Sequence, residues 1–273
     1  MTERSEATGA VPVLMYHSVR EHPPRETAAL AVSPAAFAEQ MDVLADGGFT
    51  PVPLSALAGG SVEAAAPEAR RPIVITFDDG YADFHAHALP VLAGHGFAAT
   101  VFVTTGWLAD ARQDAAGRPL DTMMSWRQVT EAAAEGVEIG GHSHSHPQLD
   151  QLRDEALRDE LARNRTLLED RLGTAVTTMA YPYGYSSARV RRAVGEAGFE
   201  SACAVANRLS PTGGDALAIP RLTVRASISP GTFARVAAGQ GIPLTYLKDR
   251  ALTRGYAAVR RTRYGLRRVT HRV

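Results

Sequence analysis

Cysteine is almost absent from this chain, because its 273 residues include only one, Cys203. A single thiol excludes an intrachain disulfide, and its apolar surroundings, ESACAVAN, predict a buried and unreactive side chain. Long apolar runs are absent too, since none reaches the roughly 20 residues that a membrane-spanning helix needs. The first residues, MTERSEATGAVPV, hold no apolar stretch of signal-peptide length. These absences predict a protein that stays in the cytoplasm.

The chain lacks a net charge, because its 29 basic residues balance its 29 acidic ones. The balance is uneven along the chain. Residues 248–273 hold nine Lys or Arg and one acid, which gives this tail a charge of +8 and leaves −8 on the rest. The acidic body argues against nucleic acid as a partner. The tail predicts either a solvated basic segment or peripheral contact with an anionic membrane, where each cation gains about 1 kcal/mol.

Seven apolar runs alternate with helix-like segments between residues 12 and 224. Most of the runs are continuous, as in parallel strands buried on both faces. Serine marks helix starts at 33, 125 and 186 or 187, and glycine marks helix ends at 47–48, 136, 173 and 198. This alternation predicts repeated βα units in an α/β fold, and a barrel is favoured over an open doubly wound sheet. The predicted strands are 12–17, 72–77, 99–105, 137–141, 176–181, 201–205 and 219–224.

Polar residues follow four of these strands directly, at their carboxyl ends. In α/β barrels the active site lies at this rim, so the four positions are expected to converge on one site. The long loop 106–125 leaves the same rim and is expected to form a lid or a substrate wall. The converging residues are His17 in the first strand, Asp78 and Asp79 after the second, His142 after the fourth, and Pro182 and Tyr183 after the fifth.

The segment GGHSHSHPQL holds three histidines, two of which have the spacing of a metal site. In one turn of helix-like backbone His142 and His146 would face the same way, while His144 would point elsewhere. Two histidines and one carboxylate leave open positions on a metal, as a hydrolytic centre requires. Of two adjacent carboxylates, one can bind the metal and the other can act as a general base. The alternatives are solvated loop histidines and a turn with a helix cap.

Three motifs together resemble the polysaccharide deacetylase family, carbohydrate esterase family 4, with its NodB-homology domain. They are TFDDG at 76–80, HSHSH at 142–146 and AYPYG at 180–184, and they occur in the family's order. The resemblance covers residues 12 to about 235. It implies a distorted (β/α)7 barrel, similar to a TIM barrel, and metal-dependent removal of acyl groups from N-acetylated sugars. Zinc is the expected ion, with cobalt or nickel as alternatives.

The resemblance also implies a role for each motif residue. It makes Asp78 the general base, and it makes Tyr183 the donor of a backbone N–H to the oxyanion hole, in a turn fixed by Pro182. The metal ligands that it implies are Asp79, His142 and His146.

The chain departs from the family pattern at two points. Ala180 stands where the family usually has an arginine that tethers the base, and Arg221 is a candidate for the missing cation. The family's late Leu-x-His motif, which supplies the general acid, is not visible. A subgroup begins with Leu-x-Tyr-His, here LMYHSV, so His17 is predicted to be the general acid. The alternative is a histidine that tethers its own loop.

These patterns divide the chain into an N-terminal extension, 1–11, a deacetylase domain, 12–247, and a basic tail, 248–273. The predicted function is metal-dependent deacetylation of an N-acylated amino sugar or polysaccharide, with a glycan as partner. One alternative is a related amide or formyl hydrolase that acts on a non-polymeric substrate. Another is a carbohydrate-binding protein that has lost turnover.

Trp107 and Trp126 flank the long loop and are expected either to stack on a sugar or to pack in the core.

Overall fold

The computed structural model describes residues 9–57, 62, 67–253, 255–256 and 260. Twelve strands are found in this part of the chain, and each of the seven predicted apolar runs contains one of the longer strands. In chain order, they are β1 (Ala10–Val11), β2 (Val13–Tyr16), β3 (Ser18–Val19), β4 (Ala31–Val32), β5 (Thr50–Pro51), β6 (Pro72–Phe77), β7 (Thr100–Val103), β8 (Glu138–Gly141), β9 (Thr178–Ala180), β10 (Ser201–Val205), β11 (Ser210–Pro211) and β12 (Ile219–Thr223).

The seven longer strands form a closed parallel barrel. Their order around it is β2, β6, β7, β8, β9, β10 and β12, and β12 pairs with β2 to close the ring. This closure confirms the distorted (β/α)7 barrel and excludes the open sheet. The short strands lie outside the ring: β5 pairs with β6, β3 with β4, and β1 runs antiparallel to β11.

Helices follow most of the barrel strands, and serine caps begin several of them as predicted. The side chains of Ser33, Ser125 and Ser187 each accept a hydrogen bond from the backbone N–H three residues later, which satisfies a donor of the first turn. The helices are α1 (Pro34–Asp46), α2 (Leu89–His95), α3 (Trp126–Ala134), α4 (Asp154–Leu172), α5 (Ala188–Glu196), α6 (Pro230–Ala237) and α7 (Ile242–Thr245).

The apolar core has two layers. One layer fills the barrel interior, where Val74, Phe102 and Cys203 meet. The other lies between the barrel and the helices and is larger. Cys203 is fully buried, which confirms the predicted burial, and this burial raises the pKa of its thiol to about 12. Among the described residues, no helix is long and apolar enough to cross a bilayer.

The start of the predicted tail packs against the barrel. Residues 247–253 are helical, and Asp249 pairs with Arg225, which follows β12. Further along, Arg260 is nearly buried and pairs with Asp150 at 2.9 Å. Residues 1–8 and 261–273, which include much of the predicted extension and tail, lie outside the described residues. The boundaries at 11 and 247 therefore stay predictions.

Candidate active site

A cleft of about 350 Å³ opens at the carboxyl end of the barrel strands. Most of the residues predicted from the sequence line it, although they come from strands that lie far apart in the chain. Two others, Pro182 and Arg221, lie buried next to lining residues. The predicted residues in the lining are His17, Asp78, Asp79, His142, His146 and Tyr183.

Three ligand atoms converge on one point of this cleft. Asp79 Oδ1 lies 3.3 Å from His142 Nε2 and 3.2 Å from His146 Nε2. All three atoms lie within 4.8 Å of one another, and Asp79 Oδ1 is buried with no hydrogen-bond partner among the described residues. A buried, unpartnered carboxylate oxygen facing two imidazole nitrogens fits a divalent ion of the zinc type.

The hydrogen bond on the far side of His142 sets its tautomer. Nδ1–H donates to the carbonyl oxygen of Ala180 at 2.8 Å, which leaves Nε2 facing Asp79 as the nitrogen that could bind a metal. Burial alone would raise the pKa of Asp79, but the two imidazoles bring it well below its usual value. The carboxylate is therefore ionised, which is the form that a metal ligand needs.

The backbone that carries the two histidines is not the helix-like turn that their spacing suggested. The expectation is wrong because Ser143 and His146 adopt left-handed conformations, with φ of 63° and 60°. These two residues curve the loop so that both rings meet, with centroids 5.0 Å apart. His144 points elsewhere, as predicted, and its Nδ1 lies 3.0 Å from Thr105 Oγ1. Backbone strain of this kind is common where a site must be held rigidly.

Two side chains of α4 hold this histidine loop in place, and sequence reasoning missed both. Asn164 donates to the carbonyls of Val103 and Ser143, at 2.9 and 2.8 Å. One turn earlier, Glu160 accepts the N–H groups of His144 and Ser145, at 3.0 and 2.8 Å. The available signal was a polar residue on the apolar face of the helix, since the buried positions of α4 are Leu157, Leu161, Asn164 and Leu168.

The second carboxylate of the pair faces a cation. Arg221 is fully buried on β12 and donates two hydrogen bonds to Asp78, at 2.6 and 2.7 Å. Arg221 is therefore the cation next to Asp78 in this chain, in which position 180 is alanine. Burial by itself would raise the pKa of Asp78, but Arg221, with smaller effects from His142 and His17, holds it below its usual value.

His17 also lies next to Asp78. Its Nε2 is 3.7 Å from Asp78 Oδ2, and its Nδ1 is buried without a hydrogen-bond partner among the described residues. Burial lowers the pKa of this imidazole, although Asp78 and Asp79 act in the opposite direction. The ring is therefore mostly neutral at pH 7, next to a carboxylate that would stabilise an added proton.

Tyr183 occupies a tight turn after β9. Pro182 begins the turn, Tyr183 has a left-handed φ of 60°, and the N–H of Gly184 donates to Tyr181 at 2.7 Å. The exposed ring of Tyr183 lies against His146, with centroids 4.8 Å apart.

Trp107 also packs against the ring of His146, with ring centroids 4.7 Å apart. Both Trp107 and Trp126 are buried, so each packs in the protein and is not free to stack on a sugar. From the long loop 106–125, Leu120 lines the cleft, as expected for a wall segment. Residues beyond 247 also line it, which the sequence did not indicate; these are Asp249, Leu252, Thr253 and Tyr256.

Known proteins resemble this chain in sequence and in fold. The protein YxkH of Bacillus subtilis (strain 168), named "Putative polysaccharide deacetylase YxkH", is 26% identical over 200 residues, which cover 72% of this chain. The alignment spans 65% of that relative, slightly under two thirds of its length.

Solved structures share the fold. The deacetylase PplD of Streptococcus pyogenes, in complex with acetate, superposes with a TM-score of 0.71 at 23% identity, over 82% of this chain and 96% of PplD. IcaB from Ammonifex degensii superposes with a TM-score of 0.67 at 25% identity, over 84% of this chain and 96% of IcaB. The family model described as "Polysaccharide deacetylase" matches residues 65–202, just over half of the chain. With this match and the barrel, the chain belongs to the polysaccharide deacetylase family.

Proposed function

We propose that this protein hydrolyses the N-acyl amide of an amino sugar, releases acetate and uses a divalent metal to do so. The observation that carries the proposal is the pairing of two carboxylates with different surroundings. Asp79 faces two imidazoles, and Asp78 faces a guanidinium. Membership of a deacetylase family supports the same reaction class.

Asp79, His142 and His146 are the residues that would hold the metal. A divalent ion bound by three protein ligands keeps positions open, lowers the pKa of a water and polarises a carbonyl oxygen. Zinc is the ion that this donor set fits best, and cobalt or nickel fits it as well. The hydrogen bond from His142 Nδ1 to Ala180 keeps the ligating nitrogen in its basic form.

Asp78 accepts the proton of the attacking water. The cation of Arg221 keeps its carboxylate ionised at neutral pH, and the two hydrogen bonds fix the rotation of the carboxylate. Each carboxylate oxygen has a second lone pair, so both bonds can persist while one oxygen takes the proton. Proton transfer by a side chain positioned in this way typically raises the rate by a factor of about 10²–10⁴.

His17 is placed to pass a proton to the departing amine. Its Nε2 lies beside Asp78, and a proton on this nitrogen is stabilised by the carboxylate 3.7 Å away. The attacking water loses one proton to Asp78 and the departing amine gains one. The reaction therefore needs a group, here His17, that carries a proton to the amine. The backbone N–H of Tyr183 is proposed to stabilise the oxyanion, in the turn that Pro182 fixes.

Acetate release from N-acetylglucosamine oligomers by the purified protein tests this proposal. Activity should disappear with a chelator and return with zinc, cobalt or nickel. The matched variants are Asp78→Asn, which should keep the metal and lose turnover, and Asp79→Asn, which should lose both. A metal-loaded protein that releases neither acetate nor formate from a panel of acylated sugars and amides would contradict the proposal.

A further inference from the structure

The segment 242–256 presents an apolar face to solvent. It contains four of the six large hydrophobic side chains that are exposed among the described residues. Leu244 is 84% exposed, Leu247 64%, Leu252 59% and Tyr256 58%. Single exposed leucines are ordinary on a protein surface, but a group of four within 13 positions marks an interaction surface.

The opposite face of this segment is fixed to the barrel. Tyr246 is fully buried, and its hydroxyl donates to the carbonyl of Thr223 on β12 at 2.8 Å. Asp249 pairs with Arg225, just beyond the same strand. The inner contacts hold the segment at the carboxyl rim of the barrel, so its apolar face borders the candidate active site.

Apolar side chains continue from this face into the cleft. Leu252 and Tyr256 belong both to the exposed face and to the cleft lining, and Leu30, Leu120 and Val205 form other parts of the lining. A sugar polymer is bound mainly through hydrogen bonds and stacking on rings. The cleft has tyrosine rings for such stacking, but its aliphatic side chains would gain free energy only from an apolar group attached to the sugar.

The charge of the following chain points to the same kind of partner. Eight arginines and no acidic residue follow Asp249, and Lys248 is exposed on the apolar face. An apolar helix face next to a cationic segment has the composition of an interfacial element that binds anionic lipid. A second copy of this chain would bring two such cationic segments together, and their repulsion disfavours self-association through this face.

We propose that residues 242–256 dock on an anionic lipid bilayer, and that the cleft takes an N-acyl amino sugar joined to a lipid. The lipid-linked substrate rests on the proposed deacetylation. The docking does not, because it depends only on the apolar face and the charge.

Sedimentation with lipid vesicles tests the docking. The full-length protein is mixed with vesicles of phosphatidylcholine alone, or of phosphatidylcholine and phosphatidylglycerol at three to one, at low and at high salt. Binding should require phosphatidylglycerol and weaken with salt. The double variant Leu244→Ser, Leu247→Ser should bind about tenfold more weakly, since it removes two exposed leucines from the apolar face. Both side chains lie outside the cleft lining. The variant's turnover of a water-soluble N-acetylglucosamine oligomer should be unchanged.

Charge controls complete this test. Lys248→Gln should weaken vesicle binding, whereas Arg192→Gln, which removes an exposed cation from α5, should not. Equal binding of the wild type and the double variant would overturn the docking, as would equal binding to both kinds of vesicle. A dimer that the double variant abolishes, without vesicle binding, would also overturn it and assign the face to a second copy.

Two glycosides test the substrate. The dodecyl glycoside of N-acetylglucosamine, held in anionic vesicles, should be deacetylated with a kcat/KM at least tenfold above that of the methyl glycoside in solution. Equal values would overturn the lipid-linked substrate while leaving the proposed deacetylation in place. No turnover of either glycoside would count against the deacetylation, and with it against the lipid-linked substrate, whereas vesicle sedimentation would still decide the docking.

Discussion

Arg221 and Asp78 are 143 positions apart in the chain and form a bidentate ion pair inside the barrel, with N–O distances of 2.6 and 2.7 Å. Arg221 also donates to Thr76 at 3.2 Å, and its guanidinium lies 5.6 Å from the ring of Phe102. The pair therefore connects the apolar barrel interior to the candidate active site. It also places a cation next to Asp78, although Ala180 carries none.

Removal of Arg221 should move the acidic limb of the pH–rate profile. Asp78 acts as a base only when ionised, and the guanidinium lowers its pKa, so Arg221→Met should raise that pKa and shift the limb upward by about one to three pH units. Arg221→Lys keeps the charge and should shift it less. The measurement is kcat/KM against pH, with thermal unfolding to establish that each variant is folded. A folded Arg221→Met protein with an unchanged limb would show that Arg221 does not set this pKa.

The histidines of the loop should differ in metal binding. His142→Ala and His146→Ala should each lose most of the bound metal, because each removes one of three converging ligand atoms. His144→Ala should retain it, because that ring faces Thr105. Metal analysis of the purified variants distinguishes them, and His144→Ala is the matched control. If His144→Ala were the one variant of the three that lost its metal, the ligands would be assigned wrongly.

Asn164 should act as a positioning residue for the metal ligands. Asn164→Ala removes the hydrogen bonds that tie the histidine loop to β7, so metal affinity should fall by about 10–100-fold. The matched control is Leu168→Ala on the same buried face of α4, which should lower thermal stability without changing metal affinity. Calorimetric titration of the metal-free proteins with zinc provides the measurement. Equal zinc affinities in both variants would reduce Asn164 to a purely structural role.

His17 should affect turnover more than substrate binding. Its Nε2 lies beside the base, so His17→Ala should lower kcat by about 10²–10⁴-fold with little change in KM. His17→Gln keeps much of the volume but cannot transfer a proton, so it should be equally impaired. Steady-state kinetics on an N-acetylglucosamine oligomer gives both constants. If His17→Gln retained most of the activity, the residue would serve only to hold its own loop.

Features that depend on neighbouring residues could be predicted from the amino-acid sequence. Continuous apolar runs predicted all seven barrel strands, because a strand buried on both faces needs apolar side chains at successive positions. Ser33 and Ser125 predicted helix starts, because a cap is completed within three residues. The paired carboxylates and the histidine spacing indicated the site residues for the same reason, although the left-handed backbone at Ser143 and His146 was not visible in the spacing.

The distant residues that complete the site could be identified only from the folded protein. Closure of the ring depends on β12 pairing with β2 and β2 with β6, and this register brings Arg221 to Asp78. Asn164 reaches the histidine loop because α4 packs on β8, and Leu252 lines the cleft because its segment packs against the end of β12. Such contacts join positions far apart in the chain, so no local pattern encodes them, and their positions follow from strand register and helix packing.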